Sequence, residues 1–190
     1  MGEPGVRANG YKPSSFGDAV GAVGSPLTLA KKMNPAGTDR YLLPIERTDW
    51  EALLADWAQL IPAGSCRWLM SRFGELFFEQ KDGKIGMLQV SAFDYQIVAQ
   101  DKKDFEEWLA DPDKWSDWFL KPLVDRLEAT GKILTPDYCY SFITPLALGG
   151  SLAIKNVMMI PVREHFVCWG DVFQQTKDLP PGAKVVLKVK

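Results

Sequence analysis

Metal-binding and thiol chemistry are the first things the chain is short of. One histidine and three widely spaced cysteines (Cys66, Cys139, Cys168), with no C-x-x-C pair, cannot furnish a four-ligand zinc site at any standard spacing. Their odd number and apolar neighbours predict buried, reduced thiols of a cytoplasmic protein rather than a disulfide framework. No run approaches the ~18 apolar residues of a membrane span, and no basic segment leads into an apolar run and cleavage site at the N-terminus. Met1-Gly2 is followed by Val6 where N-myristoylation requires Ser or Thr, so no lipid anchor is expected. Large net charge is missing as well. A formal charge of -2 supplies no field to hold a nucleic-acid backbone, and direct nucleic-acid binding is not expected. Asp111-Pro112-Asp113 lacks the glycine and distal glutamate of a calcium loop, and Gly149-Gly150 fits neither a phosphate loop nor a dinucleotide fingerprint. No cofactor is therefore expected.

What the chain does have is aromatic mass. Seven Trp and ten Phe in 190 residues, with 46% hydrophobic and 24% charged residues, are ample for one domain built on large anchors. Residues 1–40 hold seven of the sixteen Gly and four of the thirteen Pro without helical or strand periodicity, and read as a flexible arm ahead of a domain over residues 41–190. Met33 offers an alternative translation start within that arm.

Thr48-Asp49-Trp50-Glu51 has the form of a capping box, and Trp50, Leu53, Leu54, Trp57 and Ile61 follow on one stripe up to Pro62, so a helix is predicted there. The runs 75–80 and 84–90 flank Lys81-Asp82-Gly83, and Asp-Gly supplies the positive φ of a tight β-hairpin turn. Tyr95–Val98 reads as a further strand, and Cys66–Met70 as one preceding the hairpin. A short helix carries Phe105, Trp108 and Leu109. A longer one places Trp115, Trp118, Phe119, Leu123 and Leu127 on one face, with Pro122 either kinking it or lying in a first turn, and Gly131 as its left-handed cap. The last helix follows Pro161, burying Val162, Phe166, Trp169 and Phe173, and the alternation from Lys184 to Lys190 predicts an edge strand. The fold class expected is α+β, a mostly antiparallel sheet packed with amphipathic helices.

Two places invite a functional reading. His165 and Cys168 stand three residues apart on the last helix, a spacing that permits a Cys-His nucleophile; a packed thiol beside a partly exposed imidazole is the alternative, and no catalytic residue is assigned. The second place is the segment from Asp101 to Asp117, which nets -4 by itself. Asp104, Glu106, Glu107, Asp111, Asp113 and Asp117 are the candidate partner-binding residues, an acidic patch suited to a basic protein; a merely solvated helix face is the other reading. Trp108 and Trp115 would be anchors there if exposed, although periodicity puts both in the core.

The order Trp68-Leu69, Phe73-Gly74-Glu75-Leu76-Phe77, Asp82-Gly83, Leu88, Pro122-Leu123-Val124, Gly131, Tyr138-Cys139-Tyr140, Pro145, Leu148-Gly149-Gly150, Asn156, Leu179-Pro180 and Val185–Val189 resembles one family over roughly residues 41–190. That family is the C-terminal domain of the type VI secretion DNase immunity proteins, formerly a domain of unknown function. Longer relatives add an N-terminal GAD-like domain, to which the Gly/Pro-rich arm has no likeness. The resemblance implies a non-enzymatic, cytoplasmic bacterial protein whose partner is a cognate toxin effector. A regulatory or scaffold protein of the same fold, and a small enzyme centred on His165 and Cys168, are the alternatives.

Overall fold

The computed structural model describes residues 38–47, 49–180 and 182–185. A 3₁₀ turn, Thr38–Tyr41, leads into β1 (Leu42–Leu43), α1 (Trp50–Leu53) and a second 3₁₀ turn, Ala55–Trp57. Then come β2 (Cys66–Ser71), β3 (Leu76–Glu79), β4 (Ile85–Gln89) and β5 (Asp94–Ala99). Three helices follow: α2 (Lys102–Leu109), α3 (Pro112–Trp118) and α4 (Lys121–Ala129). The chain continues through β6 (Tyr138–Phe142), 3₁₀ turns at Leu146–Leu148 and Ile154–Asn156, β7 (Val157–Pro161) and α5 (Val162–Thr176). This is the α+β architecture expected.

Strands β1 to β5 form an antiparallel meander in chain order, and β6 pairs with β7 as a separate ladder. The Tyr140 amide donates to the Arg72 carbonyl at 2.8 Å, tying the second ladder to the end of β2. The apolar runs of β3 and β4 have no polar alternation because both sheet faces are covered. Phe77, Ile85 and Met87 point into one core with Phe105, Leu109, Trp115, Phe119, Leu123, Val124 and Leu127 from α2–α4. Leu76, Phe78 and Leu88 point into the other, with Trp50, Leu53 and Trp57 and with Val162, Phe166, Trp169 and Phe173 of α5. Each buried Leu or Phe contributes roughly 1.5–3 kcal/mol, so these two layers dominate stability.

Helix boundaries differ from the sequence reading in three ways. The stripe from Trp50 is buried at Trp50, Leu53, Leu54 and Trp57, but the α-helix stops at Leu53 and the chain turns through a 3₁₀ segment. Thr48, the expected cap, lies outside the described residues, and the Asp49 carboxylate instead accepts from Arg47 at 2.9 Å and meets Arg163 at 3.3 Å. The long helix through Trp115 and Leu127 is two helices broken at Leu120, whose φ of 49° is left-handed. Pro122 consequently sits in the first turn of α4, where its missing N–H is harmless. Gly131 (φ 82°) closes α4 as expected: its amide reaches the Glu128 carbonyl and that of Lys132 reaches Leu127, a Schellman arrangement. Lys184 and Val185 lie outside any strand, and the remainder of the expected terminal strand is outside the described residues. So is the N-terminal arm, save residues 38–40 of the first 3₁₀ turn.

Candidate functional site

The acidic segment folds into a corner made by α2 and α3, and its six candidate residues divide by what they touch. Asp101 caps α2 by accepting from the Asp104 amide at 2.8 Å, while the Asp104 carboxylate reaches back to the Gln100 amide at 2.8 Å. Asp111 caps α3, accepting from the Asp113 amide at 3.1 Å, and stands 3.7 Å from the Lys114 ammonium. Asp104 and Asp111 are half-buried and hold the helix ends. Glu107 is exposed and forms a loose pair with Lys103 at 3.5 Å. Glu106, Asp113 and Asp117 are exposed, and their carboxylates make no hydrogen bond or ion pair among the described residues.

Aromatic rings run through the same corner. Trp108 of α2 and Trp118 of α3 stack with centroids 4.2 Å apart at 7°, Trp118 stacks on the buried Phe105, and the Lys114 ammonium sits 5.6 Å above Trp108. Both tryptophans are half-buried, whereas Trp115 is enclosed against Tyr41. The anchor available at the surface is therefore the Trp108–Trp118 stack, not Trp115. Periodicity missed it because two short helices share one core face, and the stacked pair lies across their junction rather than on one stripe.

The interior around α5 is polar in a different way. His165 is 1% exposed, and burial pushes its pKa down to about 3, so the ring is neutral at physiological pH. Its Nδ1 lies 3.0 Å from Ser141 Oγ, which also accepts from Trp169 Nε1 at 2.8 Å. Nε2 is buried without a partner against Gly74, where a Cβ would lie 2.5 Å from it. Cys168 faces outward, and burial followed by the nearby Glu164 and Asp171 raises its thiol pKa, the opposite of an activated nucleophile. The expected neighbours are thus not brought together: His165 turns inward to Ser141 while Cys168 turns to solvent. Ser141 and His165 have the contact of a nucleophile and base, but Ser141 is also 1% exposed and its oxygen is engaged by Trp169, so no substrate atom can approach.

Glu75, at the head of β3, is the other buried titratable group. Its carboxylate accepts from the Val90 amide at 2.5 Å and from the Ser91 hydroxyl at 2.7 Å, and burial, opposed by those bonds, pushes its pKa up to about 7. Among the described residues no cluster of His, Cys, Asp or Glu could hold a metal ion, and no helix is long and apolar enough to cross a membrane.

Residues 99–172 match the family model of the T6SS immunity protein Tdi1, C-terminal. The resemblance to this immunity domain is thereby shown, over a shorter span than the residues 41–190 read from the sequence. No curated protein matches the chain. The matched stretch starts at the last residue of β5 and runs through α2, α3, α4, β6 and β7 into α5, so it contains the whole acidic corner, the Trp108–Trp118 stack, Ser141 and His165. Glu75 and the meander that carries it lie outside.

Proposed function

We propose that the chain is a non-enzymatic immunity protein of the producing cell's cytoplasm that binds and neutralises a cognate DNase-type toxin, with the α2–α3 corner in the contact surface. The observation that carries this reading is the match of residues 99–172 to a T6SS immunity domain. The corner supplies what such a contact needs. A nuclease must attract a polyanion, so its active-site surface is basic, and an acidic surface meets it with complementary charge that accelerates encounter. Glu106, Asp113 and Asp117 are exposed and unpaired among the described residues, so their charge is not spent internally. The half-buried Trp108–Trp118 stack adds a rigid apolar edge to the same surface; its outer Trp108 face is already covered by the Lys114 ammonium, so the edge offers a partner packing rather than a cation site. Asp104 and Asp111 belong to the same surface but serve it indirectly, by fixing the helix ends.

The test is a pull-down from the native bacterium with the whole chain as bait, followed by mass spectrometry. Recovery of a secreted nuclease is the expected outcome; recovery of housekeeping proteins alone would move the assignment to a regulatory module. With the toxin in hand, Glu106→Lys, Asp113→Lys and Asp117→Lys together should slow association by about tenfold at low salt, less at high salt. An unchanged association rate would remove the corner from the interface while leaving the immunity reading standing.

A further inference from the structure

Glu75 is an acid with no cation beside it among the described residues, placed where three parts of the chain meet. Its donors are all neutral: the Val90 amide, the Ser91 hydroxyl and, more weakly, the Ser91 amide. They belong to the turn between β4 and β5, which ends in Phe93 at φ 57°, a left-handed conformation that a phenylalanine adopts only when its surroundings impose it. What imposes it is visible on both sides. The Phe93 ring is packed against Trp57 and Phe173, with centroids 6.1 and 5.9 Å away, and the backbone before it is held by Glu75. The Ser91 carbonyl then accepts from the Ala147 amide at 3.1 Å, joining the Pro145–Gly149 turn to the same carboxyl.

Phe93, Ala147 and Leu148 line a groove of about 300 Å³ together with Phe173 and Thr176 at the end of α5 and with the segment that follows that helix, which contributes Leu179 among others. The two turns that carry Phe93, Ala147 and Leu148 are therefore both tied to Glu75. A protonated carboxyl can keep both contacts, its own hydroxyl turning round to donate to Ser91 Oγ. An ionised one must hold a full charge in a space that offers, among the described residues, three neutral donors and no counter-charge, and admitting water is the available relief. The titratable groups that face it give no compensation. Cys139 of β6 has its thiol pKa raised by burial and then by Glu75 itself, and His165 of α5, against the neighbouring Gly74, is kept neutral by burial. The β4–β5 turn from Val90 to Phe93 and the turn from Pro145 to Gly149 carry no charged side chain.

We propose that Glu75 is a proton-operated latch on this groove: protonated, it holds the Val90–Phe93 turn and, through Ser91, the Pro145–Gly149 turn closed against α5; ionised, it loosens both and widens the groove. The device does not depend on the immunity reading, because each link lies within this chain.

The test is an NMR titration of the uniformly labelled full chain from about pH 5 to 9, following the Glu75 carboxyl carbon and the amides of Phe93 and Ala147. One shared midpoint near neutrality is expected, with Ala147 amide exchange above it rising about tenfold beyond the ordinary base-catalysed increase, as local opening requires. Glu75→Gln should abolish the transition at both amides. Ser91→Ala keeps the carboxyl but removes a donor to its ionised form, and should move the carboxyl and both amides together, upward by about one pH unit. A carboxyl midpoint in the ordinary glutamate range, amides that titrate apart from it, or an amide transition that survives in Glu75→Gln would each overturn the latch.

Discussion

Glu106 and Glu75 carry the same functional group into opposite solvents, and each explains the other. On α2 the carboxylate of Glu106 stands in water with no partner among the described residues, so its charge is available to whatever approaches. At the head of β3 the carboxyl of Glu75 is enclosed, and ionisation costs the protein rather than serving it. The exposed acids of the corner that have no partner among the described residues are therefore expected to bear little on stability, whereas the acid–base groups of the interior are expected to bear on it directly. The division also follows the chain: the corner lies inside the stretch that matches an immunity domain and Glu75 outside it.

The sharpest way to break this contrast is through the interior. Gly74 has φ 76°, and a methyl group there would sit 2.5 Å from His165 Nε2. Gly74→Ala combines a left-handed alanine with a clash against a packed ring, and should destabilise by about 3–4 kcal/mol in urea unfolding. Pairing it with His165→Ala should recover the steric part only, leaving the backbone part. Full recovery would show that the glycine is needed for room alone.

Next in size is the pH dependence of stability, where two buried groups oppose each other. Glu75 has a folded pKa of about 7, above its ordinary 4.5, so its contribution is complete below 4.5 and is lost as pH rises through 7. His165 has a folded pKa of about 3, below its ordinary 6.5, so its contribution is complete above 6.5 and is lost as pH falls towards 3. Between about pH 4.5 and 6.5 the slopes have opposite sign and the native protein should be nearly flat. Glu75→Gln removes one of them: its stability should keep rising from pH 4.5 to 6.5, and at pH 8 it should exceed the native protein by up to about 3 kcal/mol. Urea curves at pH 5 and pH 8 decide it, since an unchanged difference between the two would mean that Glu75 ionises in the fold at no cost.

These interior features were the least legible in the sequence. Asp82-Gly83 announced the hairpin, and the spacing of Val162, Phe166, Trp169 and Phe173 announced α5, because turn chemistry and helical periodicity are local. Leu120 gave no warning that it takes a left-handed φ and splits a helix, since Trp115, Phe119, Leu123 and Leu127 enter one core on either side of the break. Glu75 read as the polar end of a strand, and its partners Val90 and Ser91 belong to a turn whose approach only the meander creates. Ser141 was hidden within an aromatic run, and its contact with His165 spans 24 residues. The acidic corner was legible as composition, but its division into capping and free carboxylates was not, because it depends on where α2 and α3 begin.

Within the corner, that division sets a smaller expectation. Asp111→Ala deletes the cap of α3 and should cost about 1 kcal/mol, measured by thermal or urea unfolding, even though the residue is only half-buried. Its effect on toxin association should arise mainly through α3 fraying, and so should diminish on cooling, unlike that of a contact residue.

The smallest effect expected on stability belongs to the residues given the largest role in binding. Reversing Glu106, Asp113 and Asp117 to lysine removes no hydrogen bond or ion pair made by their side chains among the described residues, and it relieves repulsion within a segment that nets -4. Against that relief stands Asp113 in the first turn of α3, where a negative charge is favoured by a few tenths of a kcal/mol and a positive one is not. The two contributions are similar in size and opposite in sign, so the triple variant should unfold within about 0.5 kcal/mol of the native protein at moderate salt. A loss of 2 kcal/mol or more would mean that these carboxylates hold the corner together, and the distinction between a charged exterior that acts on partners and a polar interior that acts on the fold would fail at the place where it is clearest.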